Sequence, residues 1–229
     1  MSEFIQDIEQ EKKQSLKELL LKYVAGDSHE HSVFSNPSTR HEADFTFEQI
    51  FNYVKQEMNE GENQMQFVII TEHPSDAGNP VEVSGEELLN HQNDIHEFYQ
   101  NQESQDEKLP KLISGVEVDI ISPDGKVNVP DEVLAKMDFV IASKHGGLEK
   151  YFKGNPNSQE LTKMYEGLMN NHYIDVIGHL NRYVEYETLK NVDWDHLLNL
   201  AKETKTALEI NVNAPMPDWL IKKVVQAGV

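Results

Sequence analysis

Short apolar runs alternate with amphipathic segments along most of this chain, and this alternation limits the fold more than any other feature of the sequence. The runs are rich in Val and Ile, as β-strands are, and the segments between them carry apolar residues at helical spacing. Strands that alternate with helices predict βα units, a mostly parallel sheet and therefore an α/β fold. The six predicted strands lie within residues 22–31, 66–73, 111–120, 138–145, 174–179 and 207–213.

The length of 229 residues fits one domain. Residues 1–24 form a predicted N-terminal helix, because their apolar residues recur at intervals close to 3.6, and residues 25–229 form the domain itself. Two helix starts are well marked: Ser84 with Glu87 fits a capping box, and Asp193 suits an N-cap.

Composition excludes several classes of function. The chain has no cysteine, so disulfides, thiolate nucleophiles and sulfur-ligated zinc are ruled out. Its net charge of −20 makes it a poor binder of duplex nucleic acid. No apolar run approaches the roughly 20 residues of a membrane span, and the acidic start lacks the basic region of a signal peptide. We expect a soluble, cytoplasmic protein that does not bind membranes.

Ionisable residues close the apolar runs. In a parallel α/β barrel the carboxyl ends of the strands form one rim, where active sites are built. Five of the ten histidines fall at such ends, on four different strands, so the sequence predicts a shared site. The residues at the strand ends are His29, His31, His73, Glu117, His145, His179 and Glu209.

His29 and His31 form an H-x-H pair. Residues i and i+2 of a strand point to the same face, so both imidazoles can ligate one cation. Asp27 is placed to orient one of them by accepting its other N–H group. Such a pair also arises by chance in polar loops, but the other histidines at strand ends favour a metal site. Histidine and carboxylate ligands suit Zn, Mn or Fe(II).

Six short motifs, in this order and at these separations, resemble the polymerase and histidinol phosphatase (PHP) superfamily. They are "GDSHEHSVFS", "VIITEH", "GVEVDI", "DFVIASKH", "VIGH" and "ALEIN". Residues 115–147 are most similar to the PHP module of bacterial family X DNA polymerases, although this sequence contains no polymerase domain. The resemblance implies a distorted (β/α)7-type barrel, up to three divalent metal ions and hydrolysis of phosphate esters, with residues 25–229 as a PHP phosphoesterase domain.

The resemblance also implies a set of metal ligands. Two histidines and a bridging glutamate would hold the first ion, one histidine the second, and the same glutamate with two histidines the third. In that order the ligands are His29, His31 and Glu117, then His73, then Glu117, His145 and His179.

Three further residues have two interpretations each, and a fourth, Lys144, has one. His41 follows the H-x-H pair and is either another metal ligand or an ordinary loop histidine. Arg182 is the best candidate for binding a substrate phosphate, with a surface arginine as the alternative. Glu72 occupies a position that is usually acidic in the family, or has a surface role, and Lys144 is expected to point away from its neighbour His145. The other histidines are expected to be structural or exposed: His91, His96, His172 and His196.

The sequence departs from the family pattern at its end. Family members close with a seventh strand that carries S-D-x-H, whereas six strands are visible here and the seventh is missing. The domain is therefore predicted to be C-terminally incomplete, through truncation or through natural loss that weakens a two-metal site. An open barrel has unpaired strand edges, which the N-terminal helix or a partner subunit of a homo-oligomer would cover.

Three functions are open at this point. The first is a hydrolase, a metal-dependent phosphoesterase that cleaves a small phosphomonoester with a metal-activated water; the charge of −20 favours a small phosphorylated substrate. The second is a 3′-5′ exonuclease or oligonucleotide phosphodiesterase acting on nucleic-acid ends. The third is a non-catalytic, metal-binding remnant, which the missing last motif favours.

Overall fold

The structure is a computed structural model that describes residues 26–36, 43–60, 65–74, 83–105, 108–145, 154–211 and 213–229. The predicted N-terminal helix over residues 1–24 lies outside the described residues, and so does His41.

Six parallel strands form one sheet in consecutive order, and each strand lies within a predicted segment. This arrangement confirms the α/β class. No seventh strand occurs in the part of the chain that the structure describes, and β1 and β6 are the two edges of the sheet. The strands are β1 Gly26–Glu30, β2 Phe67–Glu72, β3 Lys111–Asp119, β4 Val140–Ser143, β5 Val176–Ile177 and β6 Ala207–Leu208.

Helices connect the strands, and none in the described ranges is long and apolar enough to cross a membrane. Ser84 and Glu87 form the predicted capping box, and Asp193 caps its helix by accepting a hydrogen bond from the backbone N–H of His196. No helix was predicted over Tyr186–Lys190, where the structure has a short one. The helices are α1 Phe47–Glu60, α2 Gly85–Glu103, α3 Asp131–Leu134, α4 Ser158–Met169, α5 Tyr186–Lys190, α6 Trp194–Thr204 and α7 Asp218–Ala227.

The sheet is strongly curved. In a flat sheet with strands about 4.8 Å apart, five intervals would separate β1 from β6 by about 24 Å. Instead, His29 Nδ1 at the end of β1 lies 2.8 Å from Glu209 Oε1, just after β6. The carboxyl ends of the first and last strands therefore meet, and the sheet is an open (β/α) barrel.

The two faces of the sheet differ in polarity, as β3 illustrates. Val116 and Val118 are fully buried in an apolar core that includes residues of α4, α6 and α7. Glu117 and Asp119 alternate with them, so they point to the opposite, inner face. A smaller apolar core, which includes Phe51 and Ile95, packs α1 and α2 beside β2. The helices therefore cover an apolar outer face, and the inner face carries ionisable groups.

Candidate metal centre

Five imidazoles surround the carboxylate of Glu117, which is 1% exposed. Three of them contact Oε2 through their Nε2 atoms, and two contact Oε1. The Nε2 distances to Oε2 are 3.1 Å for His29, 3.5 Å for His31 and 3.1 Å for His73, and those to Oε1 are 3.3 Å for His145 and 3.0 Å for His179.

The parallel topology explains this convergence. Each histidine lies in the last residues of a strand or within two residues of its end, so the five rings share one rim of the curved sheet. Close approach of β4 and β5 adds a local constraint, because a Cβ atom at Gly178 would lie 2.1 Å from Ser143 Oγ. Any side chain there, directly before His179, would require Ser143 and Ile141 to shift. The five predicted histidines and Glu117 are thus brought together.

The donor set fits divalent cations better than a network of hydrogen bonds. A carboxylate has about four lone-pair sites, two on each oxygen, yet three imidazoles point at Oε2 alone. Cations placed between the rings and the carboxylate would instead be coordinated by the nitrogen lone pairs of the imidazoles. Two groups have ligand atoms within 4.8 Å of one another: His29, His31 and Glu117, and His73, Glu117 and His145. These groups could each hold a metal ion.

The electrostatics of the protein without metal follow from the buried carboxylate. Burial by itself raises the pKa of Glu117, but the hydrogen bonds from His145, His179 and His29 outweigh it and hold the pKa well below its usual value. Burial lowers the pKa of His29, whereas the carboxylates of Glu117 and Glu209 raise it to about 10.

The pKa values of two further histidines in this set are shifted in opposite directions. Burial lowers the pKa of His145, but Asp119 and Glu117 raise it to about 10. Burial and the neighbouring His73 lower the pKa of His31 to about 4. His31 is therefore neutral at pH 7, with a nitrogen lone pair available for a cation, whereas a metal ion would displace a proton from His145.

Two carboxylates orient ligand histidines, a role that the sequence analysis did not give them, although it placed one of them, Glu209, at the shared rim. Asp119 Oδ1 lies 2.5 Å from His145 Nδ1, and Glu209 Oε1 lies 2.8 Å from His29 Nδ1. Glu209 also accepts a hydrogen bond from the backbone N–H of His179 at 2.5 Å. The signal for Asp119 was available, because it follows Glu117 by two residues and so shares its face of the strand. Carboxylates in this position fix the tautomer and orientation of a ligand histidine.

Arg182 and Lys144 lie close in the chain to His179 and His145. Arg182 is exposed in the turn after His179, with its guanidinium carbon 5.2 Å from the centre of the Tyr183 ring. Lys144 is buried, and its ammonium group donates hydrogen bonds to the carbonyls of Arg182 at 3.3 Å and Tyr183 at 2.5 Å. Lys144 therefore ties the turn that carries Arg182 to the end of β4.

Glu72 does not have a surface role, which corrects one of its two interpretations. It is 1% exposed and accepts hydrogen bonds from Ser32, Ser35 and His91. His91 is structural, as expected: its ring stacks on Phe34 with centres 3.9 Å apart. The predicted exposure of His172 and His196 is also confirmed.

Comparisons with known proteins identify relatives of this chain. No family model matches the chain. The chain is 35% identical over 123 residues to the DNA polymerase/3′-5′ exonuclease PolX of Bacillus subtilis, a match that covers 52% of this chain and 20% of that protein. It is 31% identical over 101 residues to a probable phosphatase of Caldanaerobacter subterraneus, covering 44% of this chain and 37% of that protein. The matches thus span less than half the length of either relative.

Among solved structures, the chain is similar to histidinol phosphate phosphatase of Lactococcus lactis, crystallised with zinc, L-histidinol and phosphate. The identity is 16% and the TM-score 0.42, over 88% of this chain and 93% of that chain. The sequence matches confirm the predicted resemblance to the PHP superfamily: homologues of this chain include PolX and probable phosphatases.

Proposed function

We propose that residues 25–229 form a metal-dependent phosphoesterase domain that hydrolyses a small phosphomonoester. The observation that carries the proposal is the set of five imidazoles around the buried carboxylate of Glu117. The relationship to probable phosphatases supports the same reaction class.

The ligands would be shared among up to three divalent ions, with Mn, Zn or Fe suited to these nitrogen and oxygen donors. His29, His31 and Glu117 would hold one ion, His73 would hold a second, and Glu117, His145 and His179 would hold a third. His41 is a further proposed ligand. When bound, such ions lower the pKa of a coordinated water to about 7 and stabilise the charge of the phosphate.

The residues of the chain then have distinct tasks. Glu209 and Asp119 hold His29 and His145 in the orientation in which Nε2 faces the ions. Arg182, three residues after His179, would bind a phosphate oxygen of the substrate through its guanidinium. The net charge of −20 favours a small substrate, because an acidic chain has few cationic side chains to neutralise the many phosphates of a nucleic-acid backbone.

Release of phosphate from p-nitrophenyl phosphate by the metal-stripped protein, with and without added Mn²⁺, tests the proposal. We expect turnover that depends on Mn²⁺, together with manganese in the dialysed protein by elemental analysis. Arg182→Ala should raise KM about tenfold with little loss of bound metal, whereas Lys163→Ala, an exposed lysine on α4, should change neither. Metal binding without hydrolysis of any ester would refute the enzyme and favour the metal-binding remnant.

A second candidate is a 3′-5′ exonuclease, and the match to PolX favours it. An enzyme that removes nucleotides from a strand end needs few contacts with phosphates, so an acidic chain can do it. A 5′-labelled oligonucleotide that shortens in the presence of Mn²⁺, at a rate exceeding that of p-nitrophenyl phosphate hydrolysis, would support this function over the first.

A further inference from the structure

Glu72 lies at the centre of a second buried polar cluster, formed by Glu72, Ser32, Ser35 and His91. Glu72 is the last residue of β2 and pairs in register with Val116 of β3. Neighbouring residues in register share a face of the sheet, so Glu72 points to the helix-covered side with Val116, away from Glu117. The Glu72 cluster is therefore behind the metal centre rather than within it.

Every lone-pair site of the Glu72 carboxylate is used. Oε2 accepts hydrogen bonds from the backbone N–H of Ser32 at 3.2 Å and from the hydroxyl of Ser35. Oε1 accepts from the hydroxyl of Ser32 and lies 3.1 Å from His91 Nε2. Ser32 and Ser35 are themselves buried, so these bonds are shielded from water.

Both serines are linked directly to proposed metal ligands. Ser32 follows His31 in the chain, and Ser35 Oγ accepts a hydrogen bond from the backbone N–H of His73 at 3.0 Å. Glu72 is also the residue before His73. One carboxylate thus fixes the backbone beside two ligand histidines that come from different strands.

His31 depends on its backbone more than His29 or His145 do. Those two rings are oriented by Glu209 and Asp119 at Nδ1, but His31 Nδ1 is buried with no hydrogen-bond partner among the described residues. The His31 ring instead stacks on that of His73, with centres 4.4 Å apart and planes 15° from parallel. The position of this stack is set by the segments that the Glu72 cluster joins.

From this geometry we infer that Glu72 is a positioning residue that holds His31 and His73, through Ser32 and Ser35, in the arrangement that binds metal. The inference rests on the metal centre of the proposed function and adds a residue to its machinery. Glu72 touches neither substrate nor ion, so its effect appears in the affinity for metal.

Titration of the metal-stripped protein with Zn²⁺ against a competing chelating indicator tests the role. Glu72→Gln keeps the shape of the side chain but replaces an acceptor oxygen with an NH₂ donor that faces two other donors. We expect a 10- to 100-fold loss of Zn²⁺ affinity, as found when residues that orient metal ligands are changed. Ser35→Ala should cause a smaller loss in the same direction. Matched controls on exposed positions of α2 and its end, Glu97→Gln and Ser104→Ala, should stay within twofold of the wild type.

Circular dichroism of each metal-free variant establishes that it is folded; if Glu72→Gln is not, Ser32→Ala and Ser35→Ala decide the question. Wild-type Zn²⁺ affinity in the folded variants would overturn the inference, and so would a wild-type protein that binds no metal. Excess Zn²⁺ should restore the bound metal in Glu72→Gln, which a merely misfolded variant would not show. Metal binding by the wild type without ester hydrolysis would refute the proposed function alone and leave the role of Glu72 to be decided by these affinities.

Discussion

Two buried carboxylates lie near each other on neighbouring strands, yet their surroundings are opposite in kind. Glu72 and Glu117 are each 1% exposed, and they point to different faces of the sheet. Glu72 is met by two hydroxyls, one backbone N–H and one imidazole. Glu117 is met by five imidazoles and by no hydroxyl among the described residues.

The difference separates a structural carboxylate from one that is proposed to bind metal. Four donors match the four lone-pair sites of Glu72, so that carboxylate needs no further partner. Five imidazoles exceed what Glu117 can accept, and imidazole nitrogens serve equally as metal ligands. Burial alone therefore does not mark a metal site; the number and type of the facing groups do.

The largest expected effect comes from removing the central carboxylate. Glu117→Gln should abolish binding of the bridged ions and lower metal-dependent turnover at least about a thousandfold, because the bridging ligand is lost. Elemental analysis and kcat for p-nitrophenyl phosphate check this result. Glu187→Gln, an exposed residue on α5, is the control. If Glu117→Gln lost less metal affinity than Glu72→Gln, the proposal that Glu117 is the ligand and Glu72 only a positioning residue would be contradicted.

The free energy of unfolding of the metal-free protein should fall as pH rises above neutral, because the histidines around Glu117 lose protons. The pKa values of His29 and His145 are raised to about 10, from about 6.5 in the unfolded chain. Their stabilising contribution is complete below pH 6.5 and is lost as pH rises to 10, at up to about 1.4 kcal/mol per pH unit for each proton.

Urea unfolding between pH 7 and pH 9.5 measures this slope. We expect the free energy of unfolding to fall with pH in the metal-free wild type and in Glu72→Gln, and to fall less steeply in Glu117→Gln, in which Glu209 and Asp119 still raise the pKa values of His29 and His145. If the unfolding free energy had the same pH slope in all three proteins, Glu117 would not be a cause of the raised pKa values of His29 and His145.

A smaller effect should follow from the carboxylate behind His145. Asp119→Asn can still accept a hydrogen bond but no longer carries the charge that favours the required tautomer, so Zn²⁺ affinity should fall about 10-fold. Asp124→Asn, on the exposed turn after β3, is the matched control. An affinity equal to that of the wild type would show that Asp119 does not support the metal centre.

The smallest effect is expected at the far side of the Glu72 cluster. His91 approaches Glu72 from α2 and does not belong to the segments that carry the ligands. His91→Gln should lower the free energy of unfolding by about 1 kcal/mol while leaving Zn²⁺ affinity within about threefold of the wild type. A tenfold loss of affinity would extend the positioning role to α2.

The sequence predicted the strands and the convergence of five histidines because both follow from topology: parallel strands place their carboxyl ends on one rim. Asp119 could have been assigned to His145 from its spacing to Glu117, but the acceptor that orients His29 could not be predicted. The contact between Glu209 and His29 depends on the curvature of the sheet, and the burial of Glu72 depends on how the segment after β1 folds over the end of β2. Helix α5 escaped prediction because its single turn is too short to display a helical period.

The contact between His29 and Glu209 joins residues that are 180 positions apart in the chain. Since the proposed ligands are spread over β1 to β5, no fragment that lacks one of these strands can assemble the complete set, and a fragment without β6 loses the carboxylate that orients His29. Loops that large close slowly, so bound metal should appear late in refolding, once β5 has joined the sheet. The ion would then bind and stabilise the folded barrel only, and a nascent chain emerging from the ribosome would have little affinity for it.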